Sequence, residues 1–451
     1  MLLKAADSDG LFWFEFVSSG TVNRKLVNVT NGGFYKMDDL DGTWDDATNG
    51  QTITAGNPYD FAAFNNNLYL CNGADTPLVW DGSGTSSLTT MTGLPTGLTD
   101  SKYVELYENY LFFANVIVSS AAKTTRIYFS ALDDATSWTD TDFIEVSKDD
   151  GQEITRIHTL GDSLVIFKER SIYSLKFTGD ADIPFVLRKT NSPVGCIAPF
   201  SVQEVNNGLV FLSYDGFYAF DGNNSFKISE KVGATLESYN VQEFDKARSY
   251  AQRQKNRYMC ALPSSGQTTN DRVLVWDYFL NAWSLYTNMA ITSATTVYVD
   301  GIEERPYFAD DAGYTYRADT GSHDSPEKVD TAIDAYYYTN WRPYQDLVHR
   351  KAVPHVTIYF QTSESVLTFS YTYDFQIGDQ YSQTFSLSGG GDVYGTALWD
   401  EGTYVQEGGK EVRRDLTGQG RVVRYKFANN TLDESFQIDG LGQKVYADTD
   451  K

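Results

Sequence analysis

Three cysteines in 451 residues, far apart at Cys71, Cys196 and Cys260, exclude a disulfide framework and a zinc site. Cys71 and Cys260 lie in apolar strand patterns, where a small buried hydrophobe is the expected role. Histidine is almost as rare. His158, His323, His349 and His355 form no H-E-x-x-H and no other close metal pair. His158 falls in the strand pattern ITRIHTL, which predicts a core position. There is no G-x-S-x-G elbow and no Walker or dinucleotide glycine pattern. No catalytic residue, metal ligand or cofactor site is therefore expected, and the chain reads as a non-enzyme. No apolar run approaches the length of a membrane span, and the start MLLKAADSDG lacks the apolar stretch of a signal peptide. The expectation is a chain made in a cytoplasm, not exported by the usual route and not inserted in a membrane. The sequons headed by Asn28, Asn223 and Asn429 then carry no meaning.

Positive charge is also in short supply. Against 60 Asp and Glu there are 36 Lys and Arg, a formal net charge of −24. Phosphate binding needs clustered Lys and Arg, so a general DNA-binding surface and an anionic-membrane partner are both disfavoured. The plain reading is a soluble acidic surface. Sixty acids give so many carboxylate pairs that a glycosidase pair cannot be picked out. The acidic stretch MDDLDGTWDD (37–46) suggests part of a calcium loop through Asp39, Asp41 and Gly42. Met37 stands at the first ligand position, however, and Thr48 where a bidentate Glu is needed, so a hairpin turn is expected. An Asp-box turn fails likewise for want of the Asp-x-Gly-x-Thr spacing. Asp81-Gly82, Asp215-Gly216 and Asp221-Gly222 read as tight hairpin turns whose glycines take φ > 0.

What the chain does have is aromatic residues, 31 Tyr and 27 Phe, which suit half-buried pleated surfaces. They recur in a weak repeat of apolar strand, aromatic strand and Asp-Gly or polar turn. GDSLVIFKERSIYSLKFTGD (161–180) and NNGLVFLSYDGFYAFDGNN (206–224) are the best copies. Tyr128, Tyr173 and Tyr218 are spaced at 45 residues, and Tyr35, Trp80, Trp276 and Tyr316 take equivalent places. A period of roughly 40–50 residues built of short strands predicts a β-propeller. Candidate units fall near 1–50, 58–95, 102–145, 154–190, 199–230, 247–287 and 291–321. The last blade of many propellers is completed by a strand from the other chain end, so six blades and seven remain open. Helical periodicity is confined to Ile228–Lys246, read as one short helix or loop between blades.

The pattern changes after the polar, proline-containing segment SHDSPEKVD (322–330), read as a linker. HVTIYFQ (355–361), SVLTFSYTYDF (365–375), TFSLSGGGD (384–392), RVVRYKFAN (421–429) and SFQIDGLGQKVYA (435–447) predict short strands of a β-sandwich. The domains expected are a six- to seven-bladed propeller over 1–325 and a C-terminal β-sandwich over 326–451, an all-β chain throughout. The second domain gathers Arg342, Arg350 and Lys351, then Arg413, Arg414, Arg421, Arg424 and Lys426. Alternation in RVVRYKF places Arg421, Val423 and Tyr425 on one face. The last five cations read either as a solvated face or as an inter-subunit contact patch for an acidic neighbour.

Three segments in the middle of the chain resemble the propeller tail proteins of short-tailed bacteriophages, called tail nozzle, hub or packaged-DNA stabilisation proteins. They are RIYFSALDDATSWTDTDFIEV (126–146), ITRIHTLGDSLVIFKERSIYSLKFTGD (154–180) and PVGCIAPFSVQEVNNGLVFLSYDGFYAFDG (193–222). The resemblance rests on Tyr128, Ser130 and Trp138, on Leu164, Ile166, Phe167, Glu169, Ile172 and Tyr173, and on Gly195, Ser201, Leu212, Ser213, Gly216, Tyr218 and Gly222. HRKAVPHVTIYF, ALWDEGTY and GRVVRYKFANNTLDESFQIDGLGQKVYAD extend it to the C-terminal domain. It implies a structural protein of the virion tail, assembled in the host cytoplasm. It further implies a homo-oligomeric ring, usually a hexamer, below the portal and adaptor. Such a ring meets the adaptor and a tail fibre, spike or needle protein, retains the packaged genome and lets it pass at ejection. Double-stranded DNA is then a transient passenger without sequence-specific binding, and an acidic lumen repels its phosphates. A carbohydrate-binding or glycan-hydrolysing propeller acting on cell-surface polysaccharide is the alternative.

Overall fold

The computed structural model describes residues 7–85, 87–180, 182–326, 329–361, 365–387 and 410–447. The ALWDEGTY motif (397–404) and the glycine-rich end of TFSLSGGGD lie outside these residues. Two compact units make up the chain, Met1–Asp319 and Thr320–Lys451. The division falls just ahead of the polar segment read as a linker, which itself forms a small ribbon, His323–Asp324 against Thr331–Ala332.

The first unit is a β-propeller built of seven antiparallel meanders, whose first strands are Ser8–Ser18, Asp60–Phe64, Leu98–Tyr107, Ile154–Leu160, Gln203–Val205, Arg248–Gln252 and Ile291–Val299. Six of these sheets have four strands. The seventh has three, ending at Thr315–Arg317, and the first sheet consists of N-terminal strands alone. No strand is exchanged between the chain ends among the described residues. The segment after the fifth sheet forms short helical turns, Glu230–Val232, Gly233–Leu236 and Val241–Lys246.

The repeating aromatics have one structural place. Tyr35, Trp80, Tyr128, Tyr173, Tyr218, Trp276 and Tyr316 all sit in the third strand of their sheet. From the second sheet onward, each enters the apolar layer shared with the sheet before it. Trp80 packs with Phe14 and Phe34 of the first sheet, its ring centroid 5.2 Å from that of Phe34 in an edge contact. Tyr128 and Tyr173 do the same one and two sheets on, and Tyr218, Trp276 and Tyr316 follow. The core is thus sliced into layers between sheets, because no single sheet can bury both of its own faces. Hairpin turns occupy the Asp-Gly sites with φ of +77° at Gly82, +136° at Gly216 and +101° at Gly222. At Gly216 a Cβ would also lie 2.2 Å from Ser229 Oγ, so the close approach as well as the backbone requires glycine.

The seventh sheet packs back on the first. Leu11, Trp13, Leu26 and Met37 meet Val297 in the smallest of the apolar layers. Hydrogen bonds complete this seam: Ser293 Oγ donates to Ser8 Oγ at 2.5 Å, and Ser8 N–H to Thr292 Oγ1 at 3.2 Å.

In the second unit a four-stranded sheet runs Ala335–Tyr338, Val423–Asn429, Val366–Tyr373, Tyr381–Ser386 in spatial order. A three-stranded sheet runs Lys410–Asp415, Lys351–Phe360, Ile438–Ala447. Both face one core, with Val356, Ile358 and Phe360 on one side and Phe369, Tyr371, Tyr425 and Phe427 on the other. Strict alternation along Val423–Asn429 sends Val423, Tyr425 and Phe427 inward and leaves Arg424 and Lys426 outward. No helix among the described residues is long and apolar enough to cross a membrane.

Candidate functional site

The first strands of the meanders are the innermost, and they surround a central cavity of about 270 Å³. It takes lining residues from six of the seven sheets and from the loops that lead into them: Asp9, Asp60, Arg156, Phe200, Arg248 and Tyr298 among others. Small and polar side chains at these inner positions, such as Ser249, Ser293 and Thr296, let the strands converge without filling the centre.

Charge is buried here. Arg156 Nη1 lies 2.7 Å from Asp60 Oδ1. Asp60 also accepts the Val104 and Phe61 amide hydrogens, which hold its carboxylate in place. Burial pushes the Asp60 carboxyl up against the opposing pull of Arg156. Arg248 donates from Nε to the Thr292 carbonyl at 2.8 Å and from Nη1 to the Ala247 carbonyl at 3.0 Å. No carboxylate lies within ion-pair distance of it among the described residues, and burial pushes its guanidinium down to about 10. The Phe200 ring sits by both cations, its centroid 4.7 Å from the Arg248 guanidinium carbon and 5.4 Å from that of Arg156. Asp9 accepts the Gly56 amide hydrogen through Oδ1 while Oδ2 is buried without a bond, and burial raises its carboxyl to about 6. Arg253 lies near the cavity edge with Glu204 and Tyr298. Sequence reading passed over this cluster. The available signal was an arginine between apolar neighbours in ITRIHTL, a place where a first strand should be core.

The five cations read as a contact patch are divided between the two sheets of the second unit. Arg424 and Lys426 stand together on the outer face of the four-stranded sheet. The Arg424 guanidinium lies 4.4 Å from the Tyr338 ring and 4.7 Å from Trp341, and Lys426 lies near Tyr336 and Tyr338 with an ion pair to Asp379. Arg413 belongs to the other sheet, beside His355 and Asp415. Arg414 covers the Phe385 ring at 4.2 Å. Arg421 precedes its strand and donates from Nε to the Val348 carbonyl. The cations are thus divided between Lys410–Asp415 of one sheet and the segment that leads into and forms Val423–Asn429 of the other.

The remaining candidates are accounted for by local contacts. His158 is in a strand as expected but half-buried beside Glu105, Nδ1 to Oε2 3.3 Å, and not in the core. In the acidic stretch Lys36 binds Asp38 and Asp45 at 2.8 and 3.0 Å, and Asp41 and Asp46 accept amide hydrogens of their own turns. All three cysteines are buried, and burial pushes Cys196 and Cys260 up to about 12, which leaves their thiols protonated and unreactive. Among the described residues no group of three or more His, Cys, Asp and Glu is placed to hold a metal.

A family model described as "Bacteriophage P22 Gp10, beta-propeller" matches residues 19–270. No curated protein matches the chain. Among solved structures it is similar to a chain of a mitotic checkpoint complex crystal structure, at 10% identity and a TM-score of 0.43, covering 65% of this chain and 86% of that one. It is also similar to the computationally designed Ika8 protein, at 12% identity and a TM-score of 0.38, covering 70% of this chain and 96% of that one. Neither likeness is close enough to bear on function.

Proposed function

The chain belongs to the bacteriophage P22 Gp10 β-propeller family and is a structural protein of a phage tail; from this we propose that it builds a ring, a tail nozzle or hub, around the path of the genome. The observation that carries the reading is the size of the propeller's central cavity. At about 270 Å³ it has room for a cluster of waters or a small ion. A duplex whose major groove alone is about 12 Å wide cannot enter it. The DNA channel we propose lies instead between copies of the chain, on the symmetry axis of a closed oligomer, with a hexamer as the proposed state. Closed cyclic symmetry turns one heterologous contact into a ring.

The charge fits that role. With −24 per chain, a ring presents a negative lining that repels phosphates, so DNA slides without sticking. The adaptor ring and a tail fibre, spike or needle protein are the proposed neighbours, and genome retention before ejection is the proposed task. Electron microscopy or native mass spectrometry of the chain with its adaptor tests this. A closed ring is expected, and a strictly monomeric chain even with its tail neighbours overturns it. Duplex DNA is expected not to bind near physiological salt, and tight, salt-sensitive binding would overturn the acidic lining.

A further inference from the structure

A chain with a net charge of −24 keeps three arginines, Arg156, Arg248 and Arg253, and two aspartates, Asp9 and Asp60, around the cavity at the centre of its propeller. Only one of those arginines, Arg156, has a carboxylate in close contact inside the cavity. Arg248 hydrogen-bonds backbone carbonyls only, with Asp245 and Asp9 acting on it from beyond ion-pair distance, and its Nη2 carries no hydrogen bond among the described residues. A guanidinium stays charged at any ordinary pH, and this half-buried one keeps a donor free to take an anion. Its fork of donors matches oxyanions in two-point contact.

We propose that the central cavity is a binding site for a small tetrahedral oxyanion, sulfate or phosphate, held by Arg248 and Arg156 beside the Phe200 ring. A tetrahedral dianion has enough oxygens to meet two guanidinium forks at once, whereas a carboxylate has one two-point face. The volume admits such an ion with several of its waters. Arg156 comes from the fourth sheet and Arg248 from the sixth, so the bound ion ties inner strands that share no hydrogen-bonded edge. Asp9 is the group that opposes binding, because its carboxylate faces the same space. The inference stands apart from the ring reading, since it concerns a single chain.

Calorimetric titration of the full chain with sulfate, phosphate and acetate, at constant ionic strength made up with chloride, tests it. Sulfate and phosphate are expected to saturate at one ion per chain, with acetate much weaker. Arg248→Gln is the variant of choice, because removing Arg156 strands Asp60. It is expected to weaken sulfate binding by about tenfold to a hundredfold. Arg248→Lys keeps the charge without the fork, falls between the two, and covers the case in which Arg248→Gln folds poorly. Thermal melts add a second readout. The wild-type midpoint rises to a plateau with sulfate, whereas the general stabilising action of sulfate rises without saturation in every variant. Absence of saturation with both tetrahedral ions, saturation by acetate alone, or equal binding in Arg248→Gln and the wild type would each overturn the proposal.

Discussion

Six of the propeller's interfaces join sheets that follow one another in the chain, and the seventh joins its two ends. The six are apolar layers with large rings in them, such as Trp80, Phe113, Phe211 and Tyr258. The seam has one buried aromatic, Trp13, and a set of polar contacts. Across it Ser8 accepts from Ser293 Oγ and has its amide on Thr292, while within its own sheet its hydroxyl donates to Asn28 Oδ1 at 2.7 Å. The difference is physical. Consecutive sheets are held close by a short connection and pack through broad apolar layers, with single buried hydrogen bonds such as Val104 N–H to Asp60 Oδ2 and Tyr258 O–H to the Ser201 carbonyl beside them. The seam residues Ser8 and Ser293 are 285 positions apart, and bringing them together carries a loop-closure entropy cost. A strand that arrives so late can slip by two residues and still present an apolar face. Directional hydrogen bonds between buried groups penalise that slip, because each unmade bond costs about 1–3 kcal/mol.

That contrast can be broken most sharply by Trp80→Ala, which empties a fully buried site between the first two sheets. The expected loss is about 3–5 kcal/mol of unfolding free energy in denaturant titration. A Val297→Ala change at the seam should cost about 1–2 kcal/mol. Equal losses would show that the seam is packed like the rest. The double change Ser8→Ala with Ser293→Ala comes next, at about 1–3 kcal/mol, with faster hydrogen exchange in Ser8–Ser18 and Ile291–Val299 than in the fourth sheet. Uniform exchange across all seven sheets would remove the distinction.

The pH dependence is smaller. Asp9 is held up at about 6 by burial, and Asp7 is raised by burial and by Asp311 and Asp310 of the seventh sheet. A carboxyl raised in the folded state favours folding below its unfolded value near 3.8, and that contribution is lost as pH rises through about 6. Asp9→Asn should therefore be more stable than the wild type at pH 7, by on the order of 1 kcal/mol after solvent screening, with the gap closing below about pH 4. A gap of the same size at pH 4 and 7 would mean that the carboxylate charge is not the cause. Smallest of all, Arg424→Ala should change stability by less than about 1 kcal/mol, since its aromatic contacts are at the surface. A larger loss would give that face a structural part.

Much of the propeller was legible because its pattern is local and repeated. Each third-strand aromatic follows a strand, a turn and another strand within one unit, so the 45-residue spacing of Tyr128, Tyr173 and Tyr218 carries straight into the sheets. The central arginines were not legible. Arg156 and Arg248 are 92 positions apart in sequence and share a cavity only because inner strands converge on one axis. The placing of the five cations was not legible for the mirror-image reason: Arg413 and Arg414 are close in sequence to Arg421, Arg424 and Lys426, and strand pairing sent them to different sheets.

The sequence by itself therefore determined the all-β class, the unit length, the strand that bears the aromatic, and the net charge that disfavours nucleic-acid adhesion. Those properties depend on side-chain type and short-range alternation, which any segment carries with it. Only the tertiary structure decided which cations share a cavity, which side of a sheet each arginine takes, and that the two ends of the propeller meet through hydroxyl groups. Those depend on where distant strands come to rest, and no local pattern encodes the distance between them.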